Sequence, residues 1–181
     1  HEDRKCKIYV LHGCMSENEM AGLYTHPKVK GLVSSTHGEG FGLPLFEAAY
    51  YGLPVIATDW SGHLDFLYKP TITKNKKTKN KHMFGRVTYT LQPVKQTAVW
   101  EGVIQADSMW AYPEEGSLKM NMLELHKDHG RFKKRAKELQ KYIKEAFSEE
   151  KQYAKYVDSI KSVCNFDTDK EIDDLFESLQ E

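Results

Sequence analysis

The stretch that decides the fold is residues 38–47, which read GEGFGLPLFE. Its three glycines alternate with other residues, so the backbone N–H groups of the loop can converge on an anion. Pro44 suits the first turn of a helix, and the positive end of that helix would face the same anion. Glu39 and Glu47 would nevertheless repel a bare phosphate. The stretch therefore predicts a site for a phosphate compound that also offers groups for carboxylates to bind.

The sequence around this loop predicts an α/β fold. Residues 29–35 (VKGLVSS) and 54–58 (PVIAT) read as strands, and the helix between them should end near Gly52. Residues 7–11 (KIYVL) indicate an earlier strand. Alternating strands and helices at this spacing are typical of a Rossmann-like parallel sheet flanked by helices, with the glycine loop at the carboxyl end of a strand.

The ends of the predicted helices carry further signals. Ser16 and Glu19 form a capping box, which marks the start of the helix that follows residues 7–11. Towards the carboxyl terminus, apolar residues recur at helical spacing in three groups, which predicts three helices there. The groups are Leu118, Met122 and Leu125; Phe132, Ala136, Leu139, Ile143 and Phe147; and Tyr153, Tyr156, Val157 and Ile160.

The regular pattern is broken over residues 68–96, which begin as a basic, polar run and read as a loop or β excursion from the sheet. Residues 84–91 (FGRVTYTL) within it are expected to form a β segment, whereas residues 97–112 favour neither helix nor strand. The sequence thus divides into one α/β domain, residues 1–164, with an insertion at about residues 68–96, and an acidic tail, residues 165–181. The apolar spacing of that tail fits a short amphipathic helix.

Composition excludes several classes of function. The chain has 26 basic and 26 acidic residues, so no net charge favours nucleic acid or a membrane surface. Its three cysteines, at positions 6, 14 and 164, form no CxxC pair, which favours a reducing, cytoplasmic environment. No transmembrane segment or signal peptide is recognisable. Because the chain opens on His1 rather than methionine, we expect a processed, tagged or partial sequence.

A nucleotide sugar reconciles the glycines with the glutamates. A carboxylate accepts hydrogen bonds from paired hydroxyl groups, so one glutamate could hold a hexose and the other a ribose. The diphosphate between the two sugars would then lie on the backbone N–H groups of the loop. On this interpretation, Glu39 and Glu47 select the ligand and do not oppose its binding.

The segment HGEGFGLPLFEAAYYGLPVIATDWSG, residues 37–62, resembles the donor-binding segment of retaining glycosyltransferases with the GT-B fold, the group that includes glycogen and sucrose synthases. Their signature is a glutamate, seven residues and a second glutamate, which here are Glu39 and Glu47. The resemblance implies that Glu39 is the catalytic residue beside the donor sugar and that Glu47 binds the ribose. Gly40, Phe41, Gly42 and Leu43 would hold the distal phosphate.

The resemblance also implies which ligands this domain binds and which parts of the complete enzyme it lacks. The donor would be a UDP-, GDP- or ADP-sugar, the acceptor stays open, and neither a cofactor nor a metal is expected. The family's basic phosphate ligands and its acceptor-binding domain would lie upstream of His1, so we expect an N-terminally truncated domain that is inactive alone. The chain also departs from the family in having residues 34–36 (SST) in place of a Pro-Ser pair.

Two other interpretations compete with this one. The fold could serve as a nucleotide-sugar-binding module without turnover. Alternatively, Gly38, Gly40 and Gly42 with Asp59 resemble a dinucleotide-binding oxidoreductase, although Leu43 stands where that fingerprint has its third glycine. Four further residues are candidates to line the site, since they border the loop or follow the next strand: His37, Asp59, Ser61 and Gly62.

Overall fold

The computed structural model describes residues 6–73 and 75–163. The chain divides into two compact units, residues 1–140 and residues 141–181. All the strands within the described ranges belong to the first unit. No helix in these ranges is both long and apolar enough to cross a bilayer.

The described ranges contain helices and strands in the alternating order expected of an α/β domain, followed by helices. The helices are α1 (Glu17–Thr25), α2 (Leu43–Tyr50), α3 (Leu64–Leu67), α4 (Glu115–Lys127), α5 (His129–Ala146) and α6 (Glu149–Val163). The strands are β1 (Leu32–Ser34), β2 (Val55–Thr58), β3 (Tyr68–Ile72), β4 (Thr78–His82), β5 (Gly85–Val87), β6 (Tyr89–Pro93) and β7 (Met109–Pro113).

The central sheet contains three parallel strands in the order β1-β2-β5. All four residues of β2 are buried, as the continuous apolar run of a covered parallel strand requires. Ile56 of β2 and Val87 of β5 pack with Phe132 of α5 in the hydrophobic core. The predicted parallel α/β sheet flanked by helices is confirmed.

The helix boundaries near the loop follow from the residues that cap them. In α1, the Ser16 hydroxyl accepts from the Glu19 N–H at 3.4 Å, and Glu19 Oε2 accepts from the Ser16 N–H at 2.8 Å. The predicted capping box is therefore present. Helix α2 ends at Tyr50, and Gly52 follows with a φ of +76°, a conformation that favours glycine.

The predicted strand at residues 7–11 is absent, and this prediction was wrong. The segment has no regular structure, and Tyr9 and Val10 are 82% and 86% exposed. A short apolar run becomes a strand only where a neighbouring strand satisfies its backbone groups. Within the described residues, no strand lies beside this run, and β1 itself pairs only with β2.

The segment after β2 leaves the central sheet, and the chain comes back to that sheet with β5. Strands β3 and β4 form an antiparallel hairpin that carries the lysine-rich run. The predicted β segment at 84–91 is divided in two, since β5 joins the central sheet and β6 pairs with β7 in a second hairpin. The unassigned residues 97–112 supply a 3-10 turn, Gln96–Ala98, and most of β7.

The three predicted C-terminal helices are confirmed as α4, α5 and α6. Helix α4 contacts both β2 and β5, and its Leu118 and Leu125 pack against the core of the first unit. The acidic tail at residues 165–181, for which an amphipathic helix was predicted, lies outside the described residues.

Candidate functional site

The glycine loop connects the carboxyl end of β1 to the start of α2. The loop that follows β2, residues 59–63, begins at the same edge of the sheet because β1 and β2 are parallel. Open α/β sheets bind ligands at this edge. The fold thus brings the two loops that carry the predicted site residues to one place.

Gly42 gives the loop its shape. It is the N-cap of α2 and has left-handed backbone angles, φ 84° and ψ 54°. A Cβ atom there would also lie 3.0 Å from Leu45 Cδ1 and 3.1 Å from His63 Cβ. Both the conformation and the close packing therefore require glycine at this position.

The loop presents a row of backbone donors. The first N–H groups of α2 that bond within the chain are those of Leu45 and Phe46, each 3.0 Å from the Gly42 carbonyl oxygen. Pro44 has no N–H group. Four N–H groups precede Pro44 and donate to no acceptor among the described residues, namely those of Gly40, Phe41, Gly42 and Leu43. These donors lie at the positive end of the helix and can bind an anion.

Ser61 and Gly62 fix the backbone of Glu39. The Ser61 hydroxyl accepts from the Glu39 N–H at 3.0 Å and donates to the Glu39 carbonyl oxygen at 2.6 Å. The Gly62 N–H donates to that same oxygen at 3.1 Å. Ser61 has a φ of +87°, which is rare for a residue with a side chain and is typical of strained functional sites. The predicted neighbours of the loop thus hold the backbone of Glu39, Ser61 through its hydroxyl and Gly62 through its N–H group.

The two glutamates differ in their surroundings. The Glu39 carboxylate has no hydrogen-bond or ion-pair partner among the described residues and stays available to a ligand. Glu47 accepts a hydrogen bond at Oε2 from the hydroxyl of Tyr24, 3.1 Å away. Tyr24 is 6% exposed, and burial, together with the hydrogen bond to Glu47, raises its pKa to about 12. Tyr24 therefore remains a donor at physiological pH and orients Glu47.

Glu47 also lines a groove of about 500 Å³ between α1 and α2. The described residues along it are apolar or aromatic apart from two carboxylates, and none is basic. They are Met15, Glu17, Met20, Ala21, Tyr24, Phe46, Glu47, Tyr50 and Tyr51. Such a lining suits a ligand with a flat apolar body and hydrogen-bond donors.

Three aromatic rings lie close together beneath the loop. The Phe41 ring is 5.3 Å from that of Phe46 and 5.1 Å from that of Phe66, and the last two are 5.2 Å apart. Phe66 is fully buried, while Phe41 remains 38% exposed. This packing fixes the start of α2 relative to α3, and with it the direction of the free N–H groups.

His37 contacts the second hairpin. Its Nδ1 atom lies 2.8 Å from the carbonyl oxygen of Ala111, and its ring stacks on Trp110 with 4.9 Å between centroids. The Tyr112 ring lies 4.4 Å away on the same hairpin. His37 therefore joins the glycine loop to β7, a role that its position in the sequence does not reveal.

Asp59 is bound by two other side chains of the protein, Arg86 and Tyr68. Its Oδ2 atom accepts from Arg86, at 2.9 Å from Nε and 2.6 Å from Nη2. Its Oδ1 atom accepts from the Tyr68 hydroxyl at 2.7 Å. Burial and this hydrogen bond raise the pKa of Tyr68 to about 12. Asp59 is thus held within the protein by Tyr68 and Arg86 and does not stand free beside the loop.

Two residues that the sequence did not single out contribute to the site. Tyr24 belongs to the apolar stripe of α1, and only the structure places its hydroxyl on Glu47. His63 is 1% exposed and packs against Gly42, and its Nε2 lies 2.7 Å from the Thr58 carbonyl oxygen. The other ring nitrogen, Nδ1, is buried with no partner in the described part of the chain. In the sequence, only the position of His63 shortly after a predicted strand could have indicated that it lies near the site.

Within residues 6–73 and 75–163, no three His, Cys, Asp or Glu side chains are grouped as they would be to hold a metal ion. The described ranges thus offer no candidate metal site. The expectation that donor binding needs no metal stays a prediction.

Comparison with known proteins supports a glycosyltransferase. Residues 5–76 match the model of a family described as "Glycosyl transferases group 1". The match spans less than half of the chain, but it includes the glycine loop, both glutamates and the loop after β2. It supports glycosyl transfer in general and does not identify the donor or the acceptor. No curated protein and no solved structure matches the chain significantly.

Proposed function

We propose that this chain supplies the donor-binding part of a retaining glycosyltransferase of the GT-B type and binds a nucleotide sugar at the glycine loop. One observation carries the proposal. The N–H groups of residues 40–43 lack acceptors among the described residues, and along the chain they fall between Glu39, whose carboxylate is free, and Glu47, whose carboxylate is oriented by Tyr24. A diphosphate flanked by two sugars fits this order of donors and acceptors.

The arrangement gives each glutamate its own role. Glu39 lies within the loop, so it reaches the sugar at the distal end of a diphosphate held by residues 40–43. Glu47 lies about one turn into α2 and opens on the groove, which directs it to the ribose. Hydrogen bonds from the ribose hydroxyls to Glu47 would bind the substrate and the transition state equally, whereas Glu39 would act where charge develops.

The protein supplies charge stabilisation through its backbone. When the bond between sugar and diphosphate breaks, negative charge grows on the departing phosphate. With the diphosphate on residues 40–43, the free N–H groups and the positive end of α2 would face that position and would stabilise the charge without rearrangement. For this reason we expect donor binding without a metal ion.

A dinucleotide-binding oxidoreductase is disfavoured by Asp59. The acidic residue after the second strand of such a fold must accept from the ribose of the cofactor. Here both oxygens of Asp59 are bound by Arg86 and Tyr68. Nothing in the described residues favours a module without turnover over a glycosyltransferase.

Calorimetric titration of the 181-residue chain tests the proposal. UDP, GDP and ADP are each titrated, together with the corresponding monophosphates and NAD, in the presence of EDTA. We expect at least one nucleoside diphosphate to bind at one site and to bind more tightly than its monophosphate, because the second phosphate lies on residues 40–43. Absence of binding by all three diphosphates, or equal binding of NAD, would contradict the proposed function.

A further inference from the structure

Two carboxylates, those of Glu17 and Glu47, line the groove between α1 and α2. Glu17, Met20, Ala21 and Tyr24 line it from α1, at the spacing i, i+3, i+4 and i+7 that places residues on one helix face. Glu17 and Tyr24 are seven residues apart, which is about 10 Å along the axis at 1.5 Å per residue. Tyr24 donates to Glu47, so we infer that Glu17 lies towards the end of the groove away from Glu47.

Glu17 is free to bind a ligand. It is exposed in the first turn of α1 and has no hydrogen-bond or ion-pair partner among the described residues. Glu19, by contrast, is bound to Ser16 in the capping box, so it cannot turn towards the groove. Glu47 is held near Tyr24 and remains at the ribose end. Glu17 is therefore the acidic side chain placed for the far end of a nucleoside.

The walls between the two carboxylates suit a purine or pyrimidine ring. Met20 and Ala21 line the groove from α1, and the aromatic rings of Phe46 and Tyr50 line it from α2. Bases of any kind stack on such side chains. Selection among bases must then come from polar groups at the end of the groove, where Glu17 offers only acceptors.

We propose that Glu17 makes this site selective for a guanine nucleotide, an inference that rests on the proposed function of the glycine loop. Guanine presents two adjacent donors, N1–H and the N2 amino group, which match the two oxygens of one carboxylate. Uracil presents a single N–H between two carbonyl oxygens, which a carboxylate repels. Adenine presents only its N6 amino group at that edge. A guanosine diphosphate sugar is accordingly the donor class that this groove favours.

The test compares two glutamate variants by calorimetric titration with GDP, UDP and ADP. In the wild-type chain, GDP should bind about ten- to a hundredfold more tightly than UDP, as expected for charged hydrogen bonds that only guanine makes. Glu17→Gln should remove most of that preference by weakening GDP, should leave ADP affinity nearly unchanged, and should leave UDP affinity equal or higher because the repulsion of its carbonyl oxygens is relieved. Glu47→Gln is the matched control, because it should weaken all three nucleotides by the same factor through the ribose.

The outcomes separate this inference from the proposed function. If UDP or ADP binds as well as GDP, or if Glu17→Gln weakens all three nucleotides equally, the role of Glu17 is refuted while the diphosphate site stands. If none of the three binds, the proposed function fails and this inference fails with it. Circular dichroism of Glu17→Gln should show an unchanged helix content and unfolding transition, since the capping box at Ser16 and Glu19 is untouched.

Discussion

Replacement of Gly62 by alanine tests how tightly the two loops at the sheet edge are packed. An added Cβ atom would lie 1.8 Å from the carbonyl oxygen of Gly40 and 3.0 Å from that of Glu39, both of which are backbone atoms. The closest separation would have to grow to about 3.4 Å, an ordinary contact. That displacement would also break the hydrogen bond from the Gly62 N–H to Glu39. We expect a loss of about 2–4 kcal/mol in the free energy of unfolding, from overpacking and one or two lost hydrogen bonds.

Urea unfolding followed by circular dichroism measures this loss, and Gly40→Ala is the matched control. A Cβ atom on Gly40 would have no heavy atom within 4 Å, so its free energy of unfolding should stay within about 0.5 kcal/mol of the wild type. If Gly62→Ala is as stable as Gly40→Ala, the two loops do not pack as described. The account of how Glu39 is positioned would then be wrong.

Three further predictions concern the Tyr24–Glu47 hydrogen bond, the pH dependence of stability and the effect of EDTA. Tyr24→Phe should weaken nucleoside diphosphate binding about three- to tenfold in calorimetry, because Glu47 loses one hydrogen bond; unchanged affinity would show that Tyr24 does not orient it. The pKa values of Tyr24 and Tyr68 are raised from 10.0 to about 12, so the stability they confer is complete below pH 10 and is lost as the pH rises towards 12. In urea unfolding between pH 10 and 12, the free energy of unfolding should decline less in the Tyr24→Phe/Tyr68→Phe variant than in the wild type. An equal decline would contradict the pKa shifts. EDTA should leave nucleotide affinity unchanged, and a loss restored by manganese would overturn metal independence.

The sequence predicted the parts of the fold that depend on local signals. The capping residues at Ser16 and Glu19 and the Pro44 and Gly52 that bracket α2 carry their structural meaning within a few positions. The glycine loop was placed correctly at a strand end for the same reason. These elements could be predicted because the preference of each residue agrees with its final conformation.

Features that depend on distant contacts could not be predicted from the sequence. Residues 7–11 have the composition of a strand, yet no neighbouring strand accompanies them in the described ranges. The contact of Tyr24 with Glu47 spans 23 positions, and that of His37 with Ala111 spans 74. Neither contact leaves a periodic signal in the chain. The sequence therefore singled out the loop and its neighbours His37 and Ser61, but it did not predict which atoms they contact or that Tyr24 binds Glu47.

The most direct test of the proposed site compares a nucleoside diphosphate with its sugar ester in variants of the two glutamates. Calorimetric titration of wild type, Glu39→Gln and Glu47→Gln with both ligands gives the contribution of the sugar separately from that of the nucleotide. We expect Glu47→Gln to weaken both ligands by about 1–3 kcal/mol, the range for a lost charged hydrogen bond. Glu39→Gln should leave diphosphate affinity nearly intact and remove the additional affinity that the sugar provides. If Glu39→Gln loses the diphosphate and Glu47→Gln retains it, the donor lies in the opposite direction along the loop and the central claim is contradicted.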